Sequence, residues 1–423
     1  MVGGPIARPR AWGGSTAQRV SVLALRQTLN FLKTEAGGGA LLAITAVIGF
    51  CLANSPWSHL YQSAINADFT IKLGGFSETL TLQGWVRDGL MAVFFFVVGL
   101  EIKQEVLKGE LSSPRKLVLP LAAALGGMIA PALVYLIFNL GPGGAPQGWP
   151  VPTATDIAFA LAALALVGRG LPQSLRIFLL AMAIADDLGA VGLIAILFTH
   201  QIHAWPLAGA ALTLVGLVAL SEWRDAPLLF RLAGYLVLGA FTLKSGVNTS
   251  LAGVAGALTV PIGSRRPGQE AILARYLRGL HPYVAYGVLP LFALTSTGIS
   301  LANLRAGQIF EPAPLGVMVA LILGKQLGVI GAVWIAIRSG LARRPTGASW
   351  LELYGVSLLC GVGFTLSLFM TGLAFAAGSA GPQSQISLGV MIGSVISAVL
   401  GCSVLALAAA RRRLLRTEAD DEV

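Results

Sequence analysis

Two adjacent aspartates, Asp186 and Asp187, stand in LAMAIADDLGAVGLIAILF, residues 180–198, a stretch with no other charge. Asp156 lies in similarly apolar surroundings, VPTATDIAFALAALAL, and so does Lys325, in ALILGKQLGVIGAV. A carboxylate taken out of water must pair with a cation of its own chain, hold a proton, or bind a dissolved cation. One lysine can satisfy one aspartate as a structural ion pair. The remaining carboxylates are left to bind protons, a hard cation that favours oxygen ligands, or each in turn. Neighbouring helix positions point about 100° apart, so Asp186 and Asp187 cannot both face Lys325. One turns to it and the other faces a water-filled cavity. A desolvated carboxyl group beside a like charge holds its proton more tightly, and two such neighbours titrate as a pair. That chemistry is the exchange of protons and cations.

The chain that must position these groups has 423 residues, 55% of them hydrophobic and 11% charged, with a mean hydropathy of +0.77. Soluble domains carry about 25% charged residues, so this is an all-α polytopic membrane protein whose first partner is the lipid bilayer. A transmembrane helix needs about 20 apolar residues. Polar and Gly/Pro-rich breaks predict twelve spans, at 36–53, 85–107, 117–139, 145–168, 174–199, 205–221, 230–243, 247–262, 282–302, 314–337, 350–376 and 386–410. Asp156 falls at the middle of the fourth span, Asp186 and Asp187 at the middle of the fifth, and Lys325 at the middle of the tenth. Each costs about 2.5–3.5 kcal/mol at the bilayer midplane. Four such groups at one depth mark a site. With the N-terminus inside, every basic residue except Lys72, Arg87, Lys244, Arg305 and Lys325 lies in an inside segment. The net charge of +10 thus follows the positive-inside pattern, which puts both termini in the cytoplasm and argues against nucleic acid as a partner.

Two spans look interrupted. Pro150 and Pro152 precede Thr155 and Asp156 in the fourth, and proline breaks helix hydrogen bonding, which predicts two helical pieces with extended chain near Thr155. Gly361 and Gly363 lie at the middle of the eleventh. The two spans run in opposite directions, so they read as crossed discontinuous helices of inverted-topology repeats, roughly 117–199 against 314–410. Asp156 would offset the positive ends of the half-helices and Lys325 the negative ends. Around this unit, 35–410, the sequence predicts a cytoplasmic tail with an amphipathic surface helix at 1–34 and a second tail at 411–423. An outside β-hairpin, DFTIKLGGFSETLTL at 68–82, alternates around Gly74 and Gly75; it would pair with a symmetric copy or pack on its own bundle. Cys51, Cys360 and Cys402 are scattered as packing residues, and HQIH at 200–203 lacks a third metal ligand.

Seven motifs, FFFVVGLEIKQE, ATDIAFALAALALVG, AIADDLGA, LKSGVNTSLAGV, LHPYVAYGVLPLFAL, LGKQLG and GVGFTLSLFMTGLAF, resemble the NhaA sodium/proton antiporter family in order and spacing. The resemblance covers roughly residues 30–410, and this family is itself an example of transporters that place an ion site where interrupted helices of inverted repeats meet. It implies a bacterial inner-membrane antiporter of twelve helices, with an interface and a core domain, often a homodimer joined by the outside hairpin. Carried over by motif, Asp187 would be the principal carboxylate for Na+ (or Li+) and protons, with Asp186 its neighbour linked to Lys325. Thr155 and Asp156 would line the helix crossing and complete the Na+ site. Glu101 and Glu105 match acidic positions implicated in pH sensing, and His281 stands near the same cytoplasmic rim. Three departures fall in regulatory positions: Asn248 where the best-known members have His, Leu277 where they have an acidic residue, and ALTSTG for a more usual A-N-A-G.

The expected function is electrogenic exchange of cytoplasmic Na+ (or Li+) for external H+, with no cofactor beyond the transported ions. A sodium-coupled symporter for an organic anion would need a further set of polar residues, which the spans do not offer. An intramembrane aspartyl protease would need a G-x-G-D motif, which is absent, and a lysine at the same depth opposes a shared-proton dyad. A Lys325 Schiff-base pump does not suit twelve spans. The protein reads as a transporter and not an enzyme.

Overall fold

The computed structural model describes residues 35–73, 76–109, 113–168, 170–199, 202–222, 228–263, 271–303, 306–375 and 380–421. The 1–34 segment, the Gly74–Gly75 hairpin tip and the first half of HQIH lie outside the described residues. The fold is mostly helical. In chain order come α1 Glu35–Ala53, α2 Ser58–Ile65, the strands β1 Asp68–Leu73 and β2 Phe76–Thr81, then α3 Met91–Lys108 and α4 Pro114–Asn139. Next are α5 Ile157–Val167, α6 Gln173–Leu197, α7 Ala204–Glu222, α8 Leu228–Ser245, α9 Thr249–Leu258, α10 Ile272–Tyr283 and α11 Leu289–Ser296. The last are α12 Pro312–Val319, α13 Lys325–Arg338, α14 Trp350–Leu359, α15 Phe364–Ala374 and α16 Ala380–Asp421. The helix α16 therefore runs through much of the segment read as the 411–423 tail.

Among the described residues, five helices are long and apolar enough to cross a bilayer: 116–139, Gln173–Leu197, Ala204–Glu222, Pro312–Arg338 and 382–414. The number rises to eight if each of three bent pairs is one span, namely 37–53 with Ser58–Ile65, 146–153 with Ile157–Val167, and Trp350–Leu359 with Phe364–Ala374. The other apolar stretches of the sequence are broken into shorter pieces or carry too many charges. The stretch 282–302 is divided between the end of α10, a π turn Val284–Val288 and α11. Outward positions on the long helices are large and apolar; Ile137, Ile196 and Leu212 are each about three-quarters exposed or more. Such a surface is stable against lipid. The protein is a multi-pass membrane protein.

The hairpin pairs antiparallel, Asp68 with Thr81 through Leu73 with Phe76. It is tied to its own chain, because Trp85 Nε1 donates to the Phe69 carbonyl at 2.8 Å and Lys244 lies 3.9 Å from Glu78. The side chains of Phe69 and Ile71, which share one face, remain exposed.

Two large apolar clusters fill much of the interior. One gathers Ala190, Val191, Ala154, Leu321 and Val362 around the packed rings of Phe95, Phe292 and Phe369. The other gathers Leu175, Leu179, Met182, Ala185, Val329, Val333 and Val356. Along α6, Leu175, Leu179, Met182 and Ala185 before the aspartates belong to the second cluster, and Ala190, Val191 and Ile194 after them to the first. Along the helix carrying Lys325 the order reverses, with Leu321 in the first and Val329 in the second. The four charges sit on the seam between them.

The helices that bring Lys325 to this seam touch through their backbones. A Cβ placed on Gly328 of α13 would overlap the Gly126 carbonyl of α4, and one on Gly126 would overlap that of Gly328. Small residues allow such close approach where no hydrophobic force drives helices together in lipid. Substituting Gly328→Val should therefore destabilise the protein by about 1–3 kcal/mol through overpacking, read as a lowered thermal-unfolding midpoint in detergent. Gly331→Val, where an added Cβ meets nothing within 4 Å, should stay within about 0.5 kcal/mol of the parent.

Candidate functional site

Helix α6 is unbroken where it carries Asp186 and Asp187, and both side chains are buried, at 1% and 2% exposure. Lys325 opens α13 directly after a π turn, Ala320–Gly324, a distortion that recurs at functional sites. Its buried ammonium donates to Asp186 Oδ2 at 2.9 Å and to the Thr153 carbonyl. Asp187 points elsewhere, as the angle between helical neighbours requires. Asp187 Oδ1 and Asp186 Oδ1 are buried with no hydrogen-bond partner among the described residues. A buried, unpartnered carboxylate oxygen costs free energy unless a proton or a cation reaches it.

Asp156 is held differently. The chain leaves a 3-10 turn, Val151–Thr153, passes through extended Ala154, and reaches Asp156 as the N-cap of α5. Asp156 Oδ1 accepts from Phe159 N at 3.1 Å. Its Oδ2 accepts from Thr365, through Oγ1 at 2.5 Å and the backbone N–H at 3.1 Å. One carboxylate thus caps the starts of two helices, α5 and α15, whose ends carry partial positive charge. The main chains of the two breaks also serve each other. Asp156 N donates to Val362 O at 2.7 Å, and Thr155 Oγ1 donates to Cys360 O at 3.0 Å. Each break bends its helix pair by 41°.

The residues read from the sequence as helix breakers have distinct parts here. Pro152 lies inside the 3-10 turn. Gly361 and Gly363 are not in left-handed backbone; an added Cβ would overlap Leu321 O at Gly361 and Ser367 Oγ at Gly363, so their value is close approach. The structure brings together Asp156, Thr155, Asp186 and Lys325 at the breaks, with Asp187 adjacent. Of the regulatory candidates, Glu101 comes within electrostatic reach of Asp187. Glu101 and Glu105 lie one turn apart on α3 and are half-buried. That helix does reach α6, since Val98 and Ile102 pack with Ala181 and Ile184, the turn before the aspartates. His281 is exposed near the end of α10. Asn248 caps α9, accepting from Ser250 N at 3.0 Å, and Leu277 packs against the apolar clusters.

Sequence reasoning missed Thr365 and the Thr153 carbonyl. A signal for Thr365 was present: it is a hydroxyl residue in GVGFTLS, two positions after the break glycine. It also missed Glu352, a buried carboxylate at the start of α14. Glu352 forms a capping box with Ser349 and pairs with Arg412 of α16 at 3.1 Å.

The family model for Na+/H+ antiporter 1 matches residues 29–405. This chain belongs to the Na+/H+ antiporter 1 family. Its curated relatives are of similar length. The Na(+)/H(+) antiporter NhaA of Bordetella parapertussis is 47% identical over 387 residues, covering 89% of this chain and 95% of the relative. That of Rhodospirillum rubrum is 46% identical over 393 residues, covering 90% and 98%, and that of Pseudomonas putida 42% over 388 residues, covering 91% and 98%.

For a member of an antiporter family, the oxygens here suit a transient hard cation. Asp186 Oδ1 and Asp187 Oδ1 are unpartnered, hydroxyl and carbonyl oxygens lie at the breaks, and no group of three or more His, Cys, Asp or Glu among the described residues could hold a metal permanently. The pair itself should be structural as well as functional. Lys325→Ala leaves the Asp186 carboxylate buried and alone, and should cost about 3–5 kcal/mol as a lowered unfolding midpoint in detergent. Adding Asp186→Asn should recover part of that loss, since it removes the stranded charge.

Proposed function

We propose that this antiporter-family chain exchanges Na+ (or Li+) from the cytoplasm for external H+ across the bacterial plasma membrane, with Asp187 carrying either ion. The observation that carries the reading is the buried, unpartnered Asp187 carboxylate beside a lysine already committed to Asp186. Na+ would be bound by Asp187 with oxygens of Thr155 and Asp156. A proton arriving from outside would neutralise the carboxylate and release the ion. If the Asp186–Lys325 pair also changes protonation, more than one proton moves per Na+ and exchange is electrogenic. No enzyme chemistry and no cofactor is involved.

The full plan we propose is twelve spans with both termini cytoplasmic, and inverted repeats whose interrupted helices cross at the site. The mutual hydrogen bonds of the two breaks and their equal bends support that plan. The short helices α8, α9 and α11 and the charged helix α3 would supply spans beyond those that are long and apolar. A homodimer would form through the hairpin, whose exposed Phe69 and Ile71 offer an apolar face. Glu101, Glu105 and His281 are proposed for pH regulation at the cytoplasmic rim.

Asp187→Asn should abolish exchange while leaving membrane insertion intact, because an amide neither ionises nor neutralises a cation. The measurement is Na+-induced collapse of a pH gradient in inverted vesicles, and a wild-type response by this variant would exclude Asp187 as the carrier. Protons and Na+ competing for one carboxylate should raise the apparent KM for Na+ as pH falls, while saturating Na+ largely restores the maximal rate. Na+ saturation curves at pH 6.5, 7.5 and 8.5 check this. A maximal rate that collapses at pH 6.5 would reveal a conformational switch separate from the site.

A further inference from the structure

We infer that Thr365 is a positioning residue for the transported cation, acting through Asp156; the inference rests on the proposed function in taking Asp156 as part of the ion site. Thr365 is buried near the start of α15. Its hydroxyl and its N–H both donate to Asp156 Oδ2, at 2.5 Å and 3.1 Å. A carboxylate oxygen has about two lone-pair positions, so Oδ2 is filled. What Asp156 can still offer an ion lies on Oδ1, whose partner is Phe159 N at 3.1 Å.

Two donors from one residue fix the carboxylate against rotation about its own side-chain bond. They reach it from α15, whereas Asp156 belongs to the start of α5. The carboxylate is therefore held from both half-helices, Oδ1 by its own and Oδ2 by the opposite one, which sets how Oδ1 is presented. The opposite half-helix is itself pinned, because Phe364 N donates to Ser394 Oγ of α16 at 3.2 Å. The Asp156 N to Val362 O bond at 2.7 Å closes the loop between the breaks. Any displacement of α15 relative to α5 moves the oxygen presented to the ion. Of the donors on Asp156, the Thr365 hydroxyl is the one a substitution can remove without altering the backbone.

The test is binding of radioactive Na+ to purified full-length protein in detergent, comparing Thr365→Val with Thr365→Ser. Valine keeps the shape and loses the donor; serine keeps the donor. Loss of a hydrogen bond to a charged group should weaken Na+ binding about tenfold in Thr365→Val. Thr365→Ser should stay within about twofold of the parent. In an Asp156→Asn background, Thr365→Val should weaken binding no further, since the two act as one unit. Parental affinity in Thr365→Val would overturn the inference. So would equal losses in the valine and serine variants, or a second tenfold loss in the Asp156→Asn background. If Thr365→Val does not fold, Thr365→Cys, a weak donor, replaces it under the same criteria. Binding is measured without transport, so vesicles that bind Na+ but fail to exchange it would count against the proposed function alone.

Discussion

An ammonium group buried among apolar side chains must be surrounded by oxygen, and Lys325 finds its oxygens on two other elements. Asp186 on α6 supplies one and the Thr153 carbonyl, at the end of the 3-10 turn before α5, supplies the other. These contacts hold the interrupted segment, α6 and α13 in one arrangement. They also commit the lysine. With its charge spent on Asp186 and a helix end, Asp187 is left without a cation of the protein's own. The exchange proposed at Asp187 rests on that shortage.

Interrupting a helix inside a membrane exposes backbone groups that lipid cannot serve, and unpaired buried backbone groups are rarely tolerated. Two interruptions placed against each other solve the problem together. The break before α5 donates to carbonyls of the break after α14, and Asp156 accepts from the start of α15. Neither interrupted segment is satisfied without its counterpart. The geometry of one is therefore mechanically tied to the other, a property an alternating-access transporter can use.

Two of the departures from the expected regulatory pattern have ordinary local roles. Asn248 is a helix cap and Leu277 a packing residue. Neither change touches the hydrogen bonds of the breaks or the Asp186–Lys325 pair. The pH dependence expected of this protein can arise from competition at the carboxylate, with Glu101 near enough on α3 for its charge to act on Asp187.

What the sequence by itself determined was the kind of interior and which apolar segments carry its charges. Hydropathy and length place Asp156, Asp186, Asp187 and Lys325 near the middle of their spans, and Pro150 and Pro152 announce a helix break. These follow from local rules: bilayer thickness, helix rise and the missing proline N–H. The shared motifs also made the family legible. Only the tertiary structure decided which oxygen meets which donor. Asp186 and Asp187 are adjacent, and nothing local says that Lys325 takes the first; the resemblance implied that pairing, and packing realises it. Thr365 is 209 positions from Asp156, and Glu352 is 60 from Arg412; such partners are chosen by how helices pack. The same holds for the number of continuous helices. A stretch can be apolar enough to span and still be divided by π turns and kinks, because those depend on what the neighbouring helices offer to the freed carbonyls.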